Sequence, residues 1–154
     1  MRFGIHVGNS GPEATAQSMV AQAKAADDSG YDSVWVSDHV VIPERFRSRY
    51  PFRGKPFTPD SVGRYYEPLI TLAVLAGATS RVRLGTSVLI IPQRNPLVMA
   101  KEIATLDELS GGRVDLGIGA GWLAEEFEAL DAKFEGRGSV LEEWLQIFRT
   151  VWSQ

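Results

Sequence analysis

The sequence predicts an α/β fold with a parallel sheet, and three observations predict it. Short apolar segments of strand character alternate four times with segments of helical period. Each crossover between successive strands is long enough to carry a helix, which makes the strands parallel and the connections right-handed. Each strand also ends on polar or glycine residues: Gly8-Asn9, Ser37-Asp38-His39, Ser87-Val88 and Gly119-Ala120-Gly121. A closed (β/α)8 barrel needs roughly 200–250 residues. If these are barrel units, four of them in 154 residues, at about 38 each, make half a barrel. It carries an insertion after strand 2.

The elements follow in order. Residues 2–7 form the first strand, and Gly8-Asn9-Ser10-Gly11-Pro12 turns it into a helix with Pro12 at its first position. Ala16, Met19, Val20 and Ala23 recur at helical spacing until Ser29-Gly30 stops the run. Ser33–Val36 is a buried strand, and a long loop then runs to about residue 65. Glu67-Pro68 opens a helix over Leu69–Ala78, and Val82–Leu89 is the third strand. Asn95-Pro96 caps a helix that turns Ala100, Ile103, Ala104 and Leu106 to a core and stops at Gly111-Gly112. Arg113–Ile118 is the fourth strand, and a helical segment starts near Trp122. Leu141, Trp144, Leu145, Phe148 and Trp152 mark a last amphipathic helix, with Trp144 and Trp152 on its core side.

Composition narrows the function. The chain is 44% hydrophobic and 23% charged with a net charge of −3, the balance of a globular protein and not of a general nucleic-acid binder. The absence of cysteine excludes disulfides, thiolate nucleophiles and zinc ribbons, and two histidines leave little for a His-rich metal centre. With no membrane-length apolar run and no signal-like N-terminus, a cytoplasmic location is expected.

In parallel α/β folds ligands bind at the C-terminal strand ends. Asp38-His39 sets a carboxylate beside an imidazole there, suited to moving a proton or to bonding a cofactor ring; a histidine satisfied by backbone is the plainer alternative. His6, inside the first strand, reads as a packed residue or a pocket wall. Gly117-Ile118-Gly119-Ala120-Gly121 offers either amides that attract phosphate or a tight turn. It is not a dinucleotide fingerprint, because Trp122 takes the place of the last glycine. Residues 43–64 hold six cations against two carboxylates, a net +4, whereas the rest of the chain stands at −7. With Phe46, Tyr50, Phe52 and Phe57 the loop suits an anionic ligand, or else is a solvated insertion. Glu125, Glu126, Glu128 and Asp131 read as a solvated acidic face.

The run Pro96–Trp122, PLVMAKEIATLDELSGGRVDLGIGAGW, with Glu126-Phe127 and Arg137-Gly138, resembles the bacterial luciferase-like flavin-dependent oxidoreductases, the luciferase-like monooxygenase family. Ser37-Asp38-His39, Tyr66-Glu67-Pro68-Leu69, Arg81–Val88 and Pro92-x-Arg94-x-Pro96 are similar to the branch that uses the deazaflavin coenzyme F420. The resemblance covers nearly the whole chain and implies residues 1–154 as a single luciferase-like domain, truncated relative to the family. It implies a usually dimeric TIM barrel. It also implies a third-strand bulge with a non-prolyl cis peptide at Ser87-Val88 behind the cofactor ring. Asp38 and His39 are implied beside the ring, His39 as the acid–base group, and Gly119, Ala120 and Gly121 as the pocket wall. Trp122 stands where a sugar-phosphate branch has glutamate, which disfavours sugar-phosphate chemistry.

The implied function is hydride transfer between F420 and a small organic substrate. An FMN-dependent monooxygenase is the alternative cofactor reading, and a catalytically silent half-barrel or assembly module is the non-enzymatic one. A half-barrel exposes two strand edges and an inner face. Either the chain is a fragment, or two copies in a homo-oligomer, or a second chain, are expected to complete it. Ala129–Ala132 departs from the family's usual glycine, β-branched residue and proline in a loop that tolerates it.

Overall fold

The computed structural model describes residues 1–51, 57 and 63–153. Of the basic loop expected over residues 43–64, Phe52, Arg53, Lys55 and Asp60 lie outside the described residues. Four parallel strands pair in chain order: β1 (Gly4–His6), β2 (Ser33–Val36), β3 (Arg83–Ile90) and β4 (Val114–Gly119). Helices α1 (Ala16–Asp28), α2 (Pro68–Ala78) and α3 (Pro96–Ser110) make the crossovers, and α4 (Ala124–Ala129) and α5 (Arg137–Trp152) follow β4. This is the α/β half-barrel order that the sequence predicts. No helix of the described residues is long and apolar enough to cross a membrane.

Local chemistry sets the helix ends. α1 starts four residues after Pro12, because Thr15 and Ser18 cap it reciprocally: Thr15 Oγ1 accepts from Ser18 N and Ser18 Oγ accepts from Thr15 N. Pro12 instead belongs to the turn that begins at Gly11, whose φ is +96°. Asn95 Oδ1 accepts from Leu97 and Val98 N–H to open α3, and Gly111 ends it in the left-handed conformation.

The two sheet faces differ. Val34, Val36, Leu84 and Leu89 are fully buried against Ala23, Leu72, Leu75 and Met99 of the helices. Each such side chain contributes about 1.5–3 kcal/mol on leaving water. α5 adds Phe148 to this core, with Leu141, Trp144 and Leu145 partly buried against it. Trp152, expected in the core, is 42% exposed, because its indole lies at the last turn and donates to Ala100 O at 3.0 Å. The opposite, inner face is built from glycines around one indole. A Cβ on Gly85 would sit 2.5 Å from Trp35 Cδ2, and one on Gly4 would sit 2.6 Å from Trp35 Nε1. Trp35 Nε1 donates to Ser33 Oγ at 2.8 Å, pinning the ring. Toward the N-terminal end of that face, Arg83 grips Asp115 with two hydrogen bonds of 2.7 Å.

Candidate functional site

The C-terminal strand ends converge on His39. Beyond β2 the chain runs Ser37-Asp38-His39, and Asn9 just after β1 fastens it. Asn9 Oδ1 accepts from Ser37 N and Oγ at 3.1 Å, while its Nδ2 donates to Ser37 O at 2.8 Å and Tyr66 O at 2.9 Å. Asn9 is fully buried with its amide satisfied, so three chain segments are locked together. Tyr65 donates its phenol to Ser37 Oγ, and burial pushes that phenol up to about 12, so it stays protonated.

The Asp38 carboxylate is taken up by protein partners. Its Oδ2 accepts from Ile90 N at 2.8 Å and from Arg94 at 2.7 Å, and its Oδ1 takes Arg94's other terminal nitrogen at 2.7 Å. The carboxylate is fully buried, and Arg94 also reaches Glu67 at 3.4 Å. This pair ties the end of β2 to the end of β3 across the sheet.

His39 is buried, with Nδ1 2.8 Å from Glu126 Oε2. Glu126 is fully buried, and its other oxygen accepts from Val40 N at 2.7 Å and Val41 N at 3.2 Å. Burial raises the Glu126 carboxyl, but the His39 bond and charge, with help from Gln93 and the Val40 peptide, bring it below the usual range, so it is ionised. The neighbouring Glu125 accepts from Arg47 N and Ser48 N, and Ser48 Oγ returns a bond from Ala124 N at 3.1 Å. Around the imidazole stand Phe57, Tyr65 and Trp122, with ring centroids 5.0, 5.3 and 6.0 Å away. Trp122 in turn meets Phe46 at 6.1 Å and Tyr50 at 5.2 Å.

The acidic stretch is therefore not the solvated face that its composition suggests. Leu123, Glu126, Phe127 and Leu130 recur at i, i+3, i+4 and i+7, which put Glu126 on the apolar stripe. That spacing was the signal that could have found it. Tyr65 and Arg94 carried no comparable signal, because their partners lie in remote segments.

On β3 the Ser87-Val88 peptide is cis, and the register with β4 shifts between Thr86 and Leu89, as the resemblance implies. Val88 is 42% exposed. Gly117 and Gly119 make room for this irregularity: a Cβ on Gly117 would strike Thr86 O, and one on Gly119 would sit 2.6 Å from Val88 Cγ2. Of the five-residue glycine run, Gly117 and Gly119 thus belong to β4, and Gly121, with φ +83°, makes the turn. Ala120 lies between them, half-buried, at the strand end. Arg137 fixes the turn by donating to Gly121 O at 2.9 Å. His6 is exposed, in register with Trp35, and is not a packed residue.

Known proteins resemble this chain. An uncharacterised protein of Mycobacterium bovis is 35% identical over 135 residues, 87% of this chain and 48% of that protein. An F420-dependent glucose-6-phosphate dehydrogenase of Amycolatopsis mediterranei is 34% identical over 141 residues, 89% of this chain and 38% of that one. Among solved structures, the monooxygenase RslO1 of Streptomyces bottropensis superposes with a TM-score of 0.77 at 27% identity, over 100% of this chain and 44% of that one. The chain thus spans about half the length, or less, of the relatives it matches. The profile described as luciferase-like monooxygenase matches residues 1–154, and the chain belongs to that family.

Proposed function

We propose that residues 1–154, as one domain, supply the mouth of a luciferase-like oxidoreductase that transfers hydride between coenzyme F420 and a small organic substrate, with His39 as the proton-moving group. One observation carries this reading: a buried imidazole, held through Nδ1 by an ionised carboxylate, stands at the strand ends that also carry the cis Ser87-Val88 peptide. A planar ring fits here. The exposed Val88 side chain stands over Gly119, where a Cβ would collide with it, and Ser87 is exposed beside it.

In this site Ser87 and Val88 back the ring, and Gly119, Ala120 and Gly121 form the adjacent wall. Asp38 contributes by holding Ile90 N and Arg94 beneath the site. When bound, a flavin or deazaflavin supplies the hydride chemistry, and the protein supplies orientation and exclusion of water. The aromatic rings around His39 exclude water, and Glu126 holds the imidazole in place. His39 then gives or takes a proton at the substrate atom. The arginines of the loop after β2 suit the coenzyme's anionic phosphate and glutamyl tail.

Trp122 puts an apolar indole where sugar-phosphate members of the family have a carboxylate. The similarity to a glucose-6-phosphate dehydrogenase therefore supports the F420 cofactor more than that substrate. An FMN-dependent monooxygenase is the alternative, and the likeness to the monooxygenase RslO1 supports its reaction class. A half-barrel that only assembles, without turnover, is the third reading.

Fluorescence titration with F420 and FMN in parallel separates these. Saturable F420 binding with weak FMN binding is expected. Preference for FMN shifts the assignment to a monooxygenase, and binding of neither leaves the silent half-barrel.

A further inference from the structure

We propose that Glu126 is the positioning residue of the site: it fixes His39 as the Nδ1–H tautomer and so makes Nε2 the nitrogen that exchanges the proton. The proposal rests on the assignment of His39 as the proton-moving group.

For the neutral ring the geometry allows one arrangement. An ionised carboxylate only accepts hydrogen bonds, so the nitrogen 2.8 Å from Glu126 Oε2 must carry a proton. In the neutral ring the other nitrogen then has none. Glu126 Oε1 is occupied by Val40 N and Val41 N, so the carboxylate cannot rotate away without abandoning two peptide donors. It lies on α4, whereas His39 lies beyond β2, and full burial shields the pair from water. Among the described residues His39 Nε2 has no hydrogen-bond partner. Phe57, Tyr65 and Trp122 stand around the ring, and the Tyr65 phenol is already committed to Ser37. The protein thus satisfies one imidazole nitrogen and leaves the other for a ligand.

Glu126→Gln gives a sharp test, because an amide has one acceptor and one donor end. The peptide N–H groups of Val40 and Val41 draw the amide oxygen, which leaves its NH2 facing His39 Nδ1. Nδ1 must then accept, and the tautomer inverts to Nε2–H. Nitrogen-15-histidine labelling with long-range proton–nitrogen spectra reads both rings, His6 serving as internal reference. The expected result is Nδ1–H for neutral His39 in the wild type and Nε2–H in Glu126→Gln, with Val40 and Val41 amide signals little changed. Nε2–H in the wild type, or the same tautomer in both proteins, overturns the proposal. If Glu126→Gln fails to fold, the wild-type spectrum decides alone. Failure to bind F420 or FMN would instead sink the functional reading and leave the tautomer result standing.

Discussion

The two ends of the sheet use buried carboxylates for different purposes. At the N-terminal end, Asp27 in the last turn of α1 accepts from the peptide N–H groups of Ser80, Arg81 and Val82 at 2.8, 3.0 and 2.9 Å. Arg113 answers from the start of β4, donating to the carbonyls of Ala76, Val82 and Ser110. Their partners are almost all peptide groups, and the connections α1–β2 and α2–β3 are fixed by them. At the C-terminal end, Asp38 and Glu126 also take peptide N–H groups, but each holds a side chain as well, Arg94 in one case and His39 in the other. Asp27 and Arg113 spend their polar atoms largely on backbone, whereas the second end leaves an imidazole nitrogen available. That division matches the rule that barrel bottoms carry stability and barrel tops carry chemistry.

Removing one partner at each end sharpens the contrast. Arg94→Met strands a fully buried Asp38 carboxylate and is expected to cost about 3–5 kcal/mol in urea unfolding. It also loosens the β2 end, so F420 or FMN affinity falls with it. The double variant Asp38→Leu, Arg94→Met removes both charges and should recover most of the loss in stability. Asp27→Ala leaves three peptide donors without their acceptor and is expected to cost about 2–4 kcal/mol. Cofactor affinity of its folded fraction should match the wild type. A drop in that affinity would show that the two ends are coupled. Acid gives the same test without mutation. Burial raises the Asp27 carboxyl, but the peptide bonds from Ser80, Val82 and Arg81 outweigh burial, and its folded pKa lies below the usual range. Its contribution is therefore complete above the unfolded pKa and is lost as pH falls through the lower folded one.

The division between legible and hidden residues follows from range. Strands and helices were readable because period and caps are local: Ser33–Val36 and the Asn95-Pro96 start of α3 stand where the sequence predicts them. The sequence predicts α1 four residues too early, because proline at a first helical position and proline in a turn look alike, and only the Thr15–Ser18 pair distinguishes them. Asp38 and His39 were identifiable as strand-end residues, but their partners Arg94 and Glu126 lie 56 and 87 residues away. No periodicity reports such pairings. Glu126 was half visible, since its helical stripe is apolar, but three neighbouring carboxylates concealed it. The glycine run was ambiguous for a related reason. Whether Gly117 and Gly119 shape a turn or clear space for Val88 and Thr86 depends on a strand 30 residues earlier in the chain (about one β/α unit).

The smallest expected effect probes whether the two adjacent glutamates of α4 act as one clamp or two. Glu126 holds residues 39–41 and Glu125 holds residues 47–48, so together they fasten both ends of the segment that carries Phe46. Partial burial raises the Glu125 carboxyl, but the Ser48 hydroxyl and the Arg47 and Ser48 peptide groups bring it down to about 2. A depressed folded pKa means that this anchor persists well into acid and releases only as pH falls through that value. Hydrogen exchange at the Arg47 and Ser48 amides across an acid series should follow that release in the wild type. In Glu125→Gln the amide oxygen still accepts both donors, but protection is weaker and no longer tracks the acid series. Global stability should change by under about 1 kcal/mol, as for other partly exposed positions. If the clamps are separate, the His39 tautomer is the same in Glu125→Gln as in the wild type. If that tautomer inverts as in Glu126→Gln, the loop is held as one unit, and the position of His39 depends on the far end of its own segment.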